Sequence, residues 1–201
     1  MSHRTMLLSC VLTTGVALGL IAGAAAQAPP GKPSSPRDID QTPVLVPIPN
    51  ARVTTTGLLI GGQPSPEQLK AIQEAGYRTV VNLRVPSELG DEGEQVAVER
   101  MGMHYVSIPV AGAAGLTESN ARALAKTINA RDARPAVVHC SVGQRVSALL
   151  GLKAFVVDRM SPAAAMDFAK SLGLTSLEGA LRARIAEICK ADKSRSCEDL
   201  Q

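Results

Sequence analysis

Short apolar runs alternate with amphipathic stretches along most of this chain. Residues 58–60, 79–83 and 136–139 are rich in Val, Leu and Ile and are bounded by polar or glycine residues, a pattern typical of buried strands. Residues 104–108 alternate polar and apolar side chains, which indicates a strand with one solvated face. These four segments are the predicted strands of one sheet.

Helix signals lie between and after these strands. Ser65 and Pro66 suit a helix N-terminus, Leu69 and Ile72 share one face of the stretch that follows, and Gly76 ends it. The other predicted helices cover residues 91–100, the stretch started by Thr117, and residues 146–157, 162–172 and 177–190. Alternating strands and helices imply an α/β fold: a single domain with a mostly parallel sheet flanked by helices.

The first 28 residues have the pattern of a secretory signal peptide. Arg4 is the one formally charged side chain there, residues 6–21 are largely apolar, and alanine-rich small-x-small cleavage sites follow at residues 24–28. An uncleaved anchor is the alternative, because residues 6–26 are nearly long enough to span a bilayer, and the membrane would then be a partner. Cleavage would leave the mature protein periplasmic or secreted.

Residues 29–43 are rich in proline and poor in apolar side chains, which predicts a flexible tether ahead of one domain at residues 44–201. The net charge of +3 is spread along the chain, and two Phe, two Tyr and no Trp leave few side chains for base stacking. These features argue against nucleic acid as a partner. The His and Cys residues lack zinc-like spacing, so we expect no metal and no cofactor.

Residues 136–150 carry the candidate chemistry. A strand-like run ends at His139 and Cys140, a short loop with Gly143 follows, and Arg145 opens a helix-like stretch. This order puts a thiol where main-chain N–H groups and a helix dipole stabilise thiolate over thiol. Arg145 can hold an oxyanion over the loop with two parallel hydrogen bonds. We therefore expect Cys140 to attack a phosphorylated substrate, a small oxyanion or a sulfane sulfur.

The remaining cysteines lie near the C-terminus. Removal of the leader would leave Cys140, Cys189 and Cys197, an odd count that suggests one pair and one free thiol in an oxidising compartment. We predict a disulfide between Cys189 and Cys197 that ties the polar tail to the last helix. Two unpaired thiols are the alternative.

Four segments resemble one known family, in the family's order: residues 61–65, 74–84, 108–110 and 139–145. They are similar to the phosphatase-like domain of the bacterial beta-lactamase hydrolase-like proteins, which belong to the cysteine-dependent protein tyrosine phosphatase superfamily. The resemblance runs from about residue 53 to about residue 157. It implies a tyrosine-phosphatase-like α/β fold.

The resemblance also implies roles for the fourth segment. Cys140 would be the nucleophile and Arg145 the phosphate clamp, while His139 would support the thiolate. Gly143 would let the backbone approach the anion closely. The remaining loop residues are expected to contact the substrate as well: Ser141, Val142 and Gln144.

Outside the loop, Arg84 and Glu118 are the candidate site residues. Arg84 follows a predicted strand at the same sheet edge as Cys140, where it is either a second anion contact or part of a surface ion pair. Tyrosine phosphatases carry a general-acid Asp ahead of the Cys strand, but residues 109–120 contain no Asp. Glu118 is the one carboxylate there and is the candidate general acid, with stabilisation of a helix start as its alternative. The other acid options are Glu88, Asp91 and Glu92.

The number of residues between Cys140 and Arg145 fits more than one function. Ser141 to Gln144 make four residues between Cys140 and Arg145, whereas the familiar tyrosine phosphatase loop has five and rhodanese-type sulfurtransferases also use short loops. We therefore expect an exported phosphatase with a phosphocysteine intermediate. The alternatives are a sulfurtransferase that carries a persulfide on Cys140 and a catalytically degenerate domain that binds phosphorylated ligands.

Overall fold

The computed structural model describes residues 44–89 and 93–192, together with residues 194 and 197. The predicted signal peptide, the predicted tether and the acid options Asp91 and Glu92 lie outside the described residues, so the statements made about them above stay predictions.

Five strands form one sheet in the described part of the chain, in the order β1-β2-β5-β3-β4. They are β1 (Arg52–Val53), β2 (Leu59–Gly61), β3 (Thr79–Asn82), β4 (His104–Ser107) and β5 (Ala136–His139). β1 pairs antiparallel with β2, and all other neighbours are parallel. The predicted α/β fold with a mostly parallel sheet is confirmed, and β5 in the middle of the sheet delivers Cys140 to its carboxyl edge.

Within residues 44–89 and 93–192, six α-helices flank this sheet, and two short 3₁₀ turns connect elements at Pro86–Glu88 and Arg131–Ala133. The helices are α1 (Pro66–Glu74), α2 (Glu94–Arg100), α3 (Glu118–Asn129), α4 (Gln144–Val156), α5 (Pro162–Ser171) and α6 (Glu178–Ala191). The helix predicted at residues 91–100 begins at Glu94 in the described chain, because Gly93 has a left-handed φ of 49°.

The predicted start of α1 is a reciprocal capping box. The Ser65 hydroxyl accepts from the Gln68 backbone N–H at 3.2 Å, and the Gln68 side chain accepts from the Ser65 N–H at 2.8 Å. Pro66 occupies the first turn, where its missing N–H costs nothing. Local sequence chemistry therefore fixes where this helix begins.

Two apolar cores lie on opposite faces of the sheet. The smaller core packs α1 and α2 on one face, and the larger core packs α3, α4, α5 and α6 on the other. α4 is apolar nearly all round because it contacts the sheet side, α3, α5 and α6 at once. Gly151 permits this packing, since a Cβ there would lie 2.6 Å from the Ala169 Cβ and 2.8 Å from the Leu181 Cδ2.

The start of the domain contributes contacts that the apolar pattern did not predict. Val46 and Ile48 are buried in the smaller core, and the Tyr77 hydroxyl donates to the Val44 carbonyl at 2.8 Å. The antiparallel strand β1 was also not predicted, because two residues are too short for a periodic signal.

At the other end of the domain, Cys189 and Cys197 are joined as a disulfide with their Cα atoms 6.0 Å apart, and both pack against the larger core. The oxidised state of the pair in solution stays a prediction. Within the described residues, none of the helices has the length and apolar character needed to cross a membrane.

Candidate active site

The candidate nucleophile occupies the turn between β5 and α4. Cys140 is 1% exposed, and its Sγ lies 3.0 Å from the Gly143 backbone N, which donates to it. Gly143 has a left-handed φ of 90°, a conformation that strains any residue with a Cβ. The close approach expected at Gly143 is therefore achieved by backbone conformation, and the main chain turns an N–H donor toward the sulfur.

Gly61 and Gly62 bring the end of β2 against this loop. The Cys140 N–H donates to the Gly61 carbonyl at 3.2 Å, and Gly62 forms an isolated bridge with Val142. A Cβ on Gly62 would lie 2.7 Å from the Ser141 carbonyl oxygen. The glycine pair is thus required for close packing of two backbones.

Arg145 returns over the loop and is held there by Glu88. Its Nη1 donates to Glu88 Oε2 at 2.6 Å and its Nη2 donates to Glu88 Oε1 at 2.7 Å, a bidentate pair. Nη1 also donates to the Val110 carbonyl at 3.2 Å, and Nη2 donates to the Ser141 hydroxyl at 2.8 Å. The hydrogen bonds to Glu88 raise the pKa of Arg145, and the nearby Cys140 sulfur contributes in the same direction. The guanidinium is therefore a fixed cation beside the nucleophile.

Glu88 was one of the candidate general acids, but its surroundings make it unsuited to donate a proton. The hydrogen bond from Arg145 lowers the pKa of Glu88 to about 2, and further hydrogen bonds from the Val85 N–H and the Ser141 hydroxyl act in the same direction. The carboxyl group is accordingly ionised at neutral pH and cannot protonate a leaving group. Glu88 instead orients Arg145 through two hydrogen bonds.

The structure places Glu118 in the first turn of α3, where the Thr117 hydroxyl caps the helix by accepting from the Asn120 N–H. The Glu118 carboxylate pairs with Arg122 at 3.2 Å, one turn further on. Among the described residues, no hydrogen bond or ion pair joins Glu118 to Cys140 or Arg145. These contacts favour the helix-stabilising alternative, and the general-acid role of Glu118 stays a prediction.

His139 is fully buried, and burial lowers its pKa to about 4. The imidazole is therefore neutral at physiological pH, and the support that it was expected to give to a Cys140 thiolate stays a prediction. Its Nε2 lies 3.3 Å from Glu94 Oε1.

Arg84 is also buried, at 8% exposed. Its Nη1 donates to Gln63 Oε1 at 2.7 Å, and its backbone N–H donates to Asn82 Oδ1 at 2.8 Å. Arg84 therefore lies within a polar network at the carboxyl edge of the sheet. Its contact with an anion stays a prediction.

The loop residues differ in where their side chains lie. The Ser141 hydroxyl bridges Glu88 and Arg145, and the Val142 side chain is 56% exposed. The Gln144 side chain is committed to the loop after α5, because Nε2 donates to the Gly173 carbonyl at 2.8 Å and Oε1 accepts from the Thr175 N–H at 2.8 Å. Substrate contact through the Gln144 side chain would require these bonds to break, which leaves its main chain for the predicted role.

A polar pocket of about 210 Å³ flanks the loop, lined among others by Arg52, Gly143 and Thr175. Cys140 and Arg145 do not line it, but the pocket shares Gly143 with the loop around the sulfur. Within the described residues, no group of three His, Cys, Asp or Glu side chains is arranged to hold a metal ion.

A free cysteine whose sulfur accepts from the Gly143 N–H, an arginine fixed beside it and a parallel sheet behind the loop are features of a cysteine-dependent, tyrosine-phosphatase-like fold. The chain belongs to the family described as DSP-PTPase phosphatase fused to NAD+ kinase, whose sequence model matches residues 50–183. The resemblance to cysteine-dependent phosphatases stated from the sequence is confirmed.

A curated relative agrees with this assignment, and solved structures agree with the fold. A beta-lactamase hydrolase-like protein from Xylella fastidiosa is 33% identical over 107 residues, which cover 51% of this chain and 24% of that protein. The chain thus spans about a quarter of the length of the curated relatives it matches.

Among solved structures, P. aeruginosa TpbA has a TM-score of 0.56 at 16% identity, over 72% of this chain and 88% of that one. The core catalytic domain of the S. cerevisiae PP-IP phosphatase SIW14 has a TM-score of 0.52 at 16% identity, over 75% of this chain and 96% of that one. At these identities the likeness shows the fold alone.

Proposed function

We propose that this protein is an exported phosphatase that hydrolyses a phosphate monoester through a phosphocysteine on Cys140. The proposal rests on one observation: a main-chain N–H and a guanidinium both lie beside the Cys140 sulfur. Gly143 N–H lies 3.0 Å from Sγ, and the Arg145 guanidinium is fixed beside it by Glu88. Membership of a phosphatase family supports the same chemistry.

The proposed reaction has two steps at phosphorus. The Cys140 thiolate attacks the phosphorus, an S–P bond forms, and the P–O bond to the leaving group breaks as that oxygen takes up a proton from solvent. Water then attacks the phosphocysteine and gives up a proton to solvent, the S–P bond breaks, and inorganic phosphate and the thiolate are released. Arg145 and the loop N–H groups stabilise the equatorial oxygens, a contribution on the order of 10² to 10³ in rate for a single well-placed donor.

A sulfurtransferase remains the second candidate because of the four-residue spacing from Cys140 to Arg145. Such a loop encloses fewer main-chain donors and suits a persulfide as well as a phosphate. In that reaction, the Cys140 thiolate would take the outer sulfur of thiosulfate with release of sulfite, and cyanide would then accept that sulfur as thiocyanate.

One experiment distinguishes the candidates. The mature protein and Cys140→Ser are incubated with an aryl phosphate, and separately with thiosulfate and cyanide. Phosphate release that Cys140→Ser abolishes, with a covalent phosphoryl adduct on Cys140 in rapidly quenched protein, supports the phosphatase. Cys140-dependent thiocyanate supports the sulfurtransferase. If neither product forms but orthovanadate still binds, the catalytic proposal is wrong and a phospho-ligand-binding domain is left.

Export is the second part of the proposal. The leader-like residues 1–28 support it, as does the disulfide geometry at Cys189 and Cys197, because such bonds persist in oxidising compartments. Expression of the full chain, followed by mass spectrometry of the protein from the periplasm and medium, should find an N-terminus within residues 25–29. A protein that retains residue 6, or that stays in the cytoplasm, would contradict export.

A further inference from the structure

We infer that Glu94 is a positioning residue for Cys140, which it orients through His139 and Gln63. The inference rests on the proposed use of Cys140 as a nucleophile. The geometry consists of one buried carboxylate that receives donors from several strands at the sheet edge where the candidate site lies.

Glu94 occupies the first turn of α2 and is 8% exposed. Its Oε1 accepts from Gln63 Nε2 at 2.8 Å and lies 3.3 Å from His139 Nε2. Its Oε2 accepts from Asn82 Nδ2 at 2.6 Å and from the Tyr105 hydroxyl at 3.4 Å. Gln63 follows β2, Asn82 ends β3, His139 ends β5 and Tyr105 belongs to β4. One side chain therefore contacts all four parallel strands or the residues directly after them.

The neighbours of Glu94 suit an acceptor and not a donor. Gln63, Asn82 and Tyr105 all present N–H or O–H groups to it, and an ionised carboxylate can accept every one of these bonds. A glutamine of the same shape has one acceptor oxygen and would turn an NH₂ group toward other donors. These hydrogen bonds favour the carboxylate form and oppose the effect of burial, which raises the pKa of Glu94.

The position of Glu94 bears on which ring nitrogen of His139 carries the proton. The buried, neutral imidazole carries one N–H, and two acceptors compete for it: Glu94 Oε1, at 3.3 Å from Nε2, and the Cys140 main chain, whose hydrogen bond acts to raise the pKa of His139. A hydrogen bond to an ionised carboxylate is stronger than one to a neutral carbonyl. We therefore expect the tautomer with the proton on Nε2.

Two routes connect Glu94 to the nucleophile. His139 directly precedes Cys140, and its carbonyl accepts from the Leu83 N–H at 2.9 Å, so the residue whose imidazole faces Glu94 is also held by its main chain next to the nucleophile. Gln63 donates from its side chain to Glu94 and from its backbone N–H to the Ser141 carbonyl at 3.1 Å, directly after Cys140. The carboxylate thus orients the chain on both sides of the sulfur without touching it.

The test compares Glu94→Gln with Glu99→Gln, which makes the same substitution on an exposed turn of the same helix. We expect Glu94→Gln to lower kcat/KM for an aryl phosphate by about 10- to 100-fold, because small displacements of a reacting group have effects of this size. The loss should fall on kcat, with KM within about threefold of wild type. Glu99→Gln should match wild type.

Two further readouts separate positioning from a purely structural role. ¹⁵N NMR of the wild-type imidazoles should show His139 as the neutral Nε2–H tautomer, with His104→Asn used for assignment, and Glu94→Gln should shift the population toward Nδ1–H. The rate of Cys140 alkylation by iodoacetamide should fall in Glu94→Gln as well. Both measurements are independent of phosphatase activity, so they still test the inference if the proposed reaction is wrong.

The inference is overturned if wild-type His139 carries its proton on Nδ1 or is an imidazolium at neutral pH, a result that does not depend on any variant folding. It is also overturned if folded Glu94→Gln keeps wild-type kcat and alkylation rate. If Glu94→Gln is largely unfolded and its remaining folded molecules keep the wild-type His139 tautomer, then Glu94 has only a structural role and the inference is wrong.

Discussion

Replacement of Glu88 by Gln tests whether the orientation of Arg145 controls turnover. The carboxylate accepts two hydrogen bonds from the guanidinium, at 2.6 and 2.7 Å, and the Arg145 side chain is only 12% exposed. Glutamine keeps the shape but has one acceptor oxygen, so one guanidinium NH₂ group faces an amide NH₂ group. The variant therefore loses at least one charge-assisted bond and the ion pair.

The magnitude follows from that loss. A hydrogen bond to a charged group contributes about 1.5–3 kcal/mol, and each tenfold change in rate corresponds to about 1.4 kcal/mol. We expect kcat to fall by about 10- to 100-fold. Phosphate and orthovanadate should bind Glu88→Gln as tightly as wild type or more tightly, because a negative charge has been removed beside an anion site.

Steady-state kinetics with an aryl phosphate, together with phosphate inhibition constants, measure both effects. Glu187→Gln is the matched control, since Glu187 pairs with Arg184 at 2.9 Å on α6, away from the loop. A Glu88→Gln variant with wild-type kcat, or one whose only defect is weaker phosphate binding, would refute the reasoning.

The pH dependence of stability provides a second check on the same pair. Because the folded pKa of Glu88 lies at about 2, below its ordinary value of 4.5, its contribution to stability is present above that ordinary value. The contribution is lost as the pH falls toward 2. Denaturant unfolding should therefore show the difference between wild type and Glu88→Gln constant from pH 5 to 8 and shrinking on acidification; a difference that grows on acidification would contradict the assignment.

Three other predictions concern the loop, the leaving group and the tail. Gly143→Ala should destabilise the fold by about 1–2 kcal/mol, measured by denaturant unfolding, and reduce activity, because the φ of 90° strains a residue with a Cβ; an unchanged midpoint would contradict this. Rates should fall steeply as the leaving group becomes more basic, since no described carboxyl group at the loop is free to protonate it, and a shallow dependence that steepens in Asp91→Asn or Glu92→Gln would identify the missing acid. Thiol titration of unfolded, unreduced mature protein should find one reactive thiol, and three would exclude the Cys189–Cys197 disulfide.

Sequence reasoning located the nucleophile because the relevant signals are local. A strand, a cysteine, a glycine and a helix start follow one another within a few residues, and the chain directions of a parallel sheet place that junction at the carboxyl edge. The helix starts at Ser65 and Thr117 were predictable for the same reason, since each cap binds an N–H three residues away.

The partners of the site residues were not predictable from local pattern. Glu88 was one of several carboxylates after β3 until the fold brought it to Arg145, 57 residues away in sequence. No sequence pattern indicated that Glu94 belongs to the site, because a glutamate at the start of a helix usually lies in solvent. Gly61 and Gly62 are required by the packing of β2 against the Cys loop, a contact between segments that lie far apart in the sequence.

The chain by itself determined which atoms could react, because a nucleophile, its main-chain donors and its arginine are separated by no more than one tight turn. Tertiary structure decided how those atoms are held and in which charge state. Burial keeps His139 neutral and Arg145 keeps Glu88 ionised, and both effects depend on neighbours that lie far away in sequence and meet only when the sheet and its helices have packed.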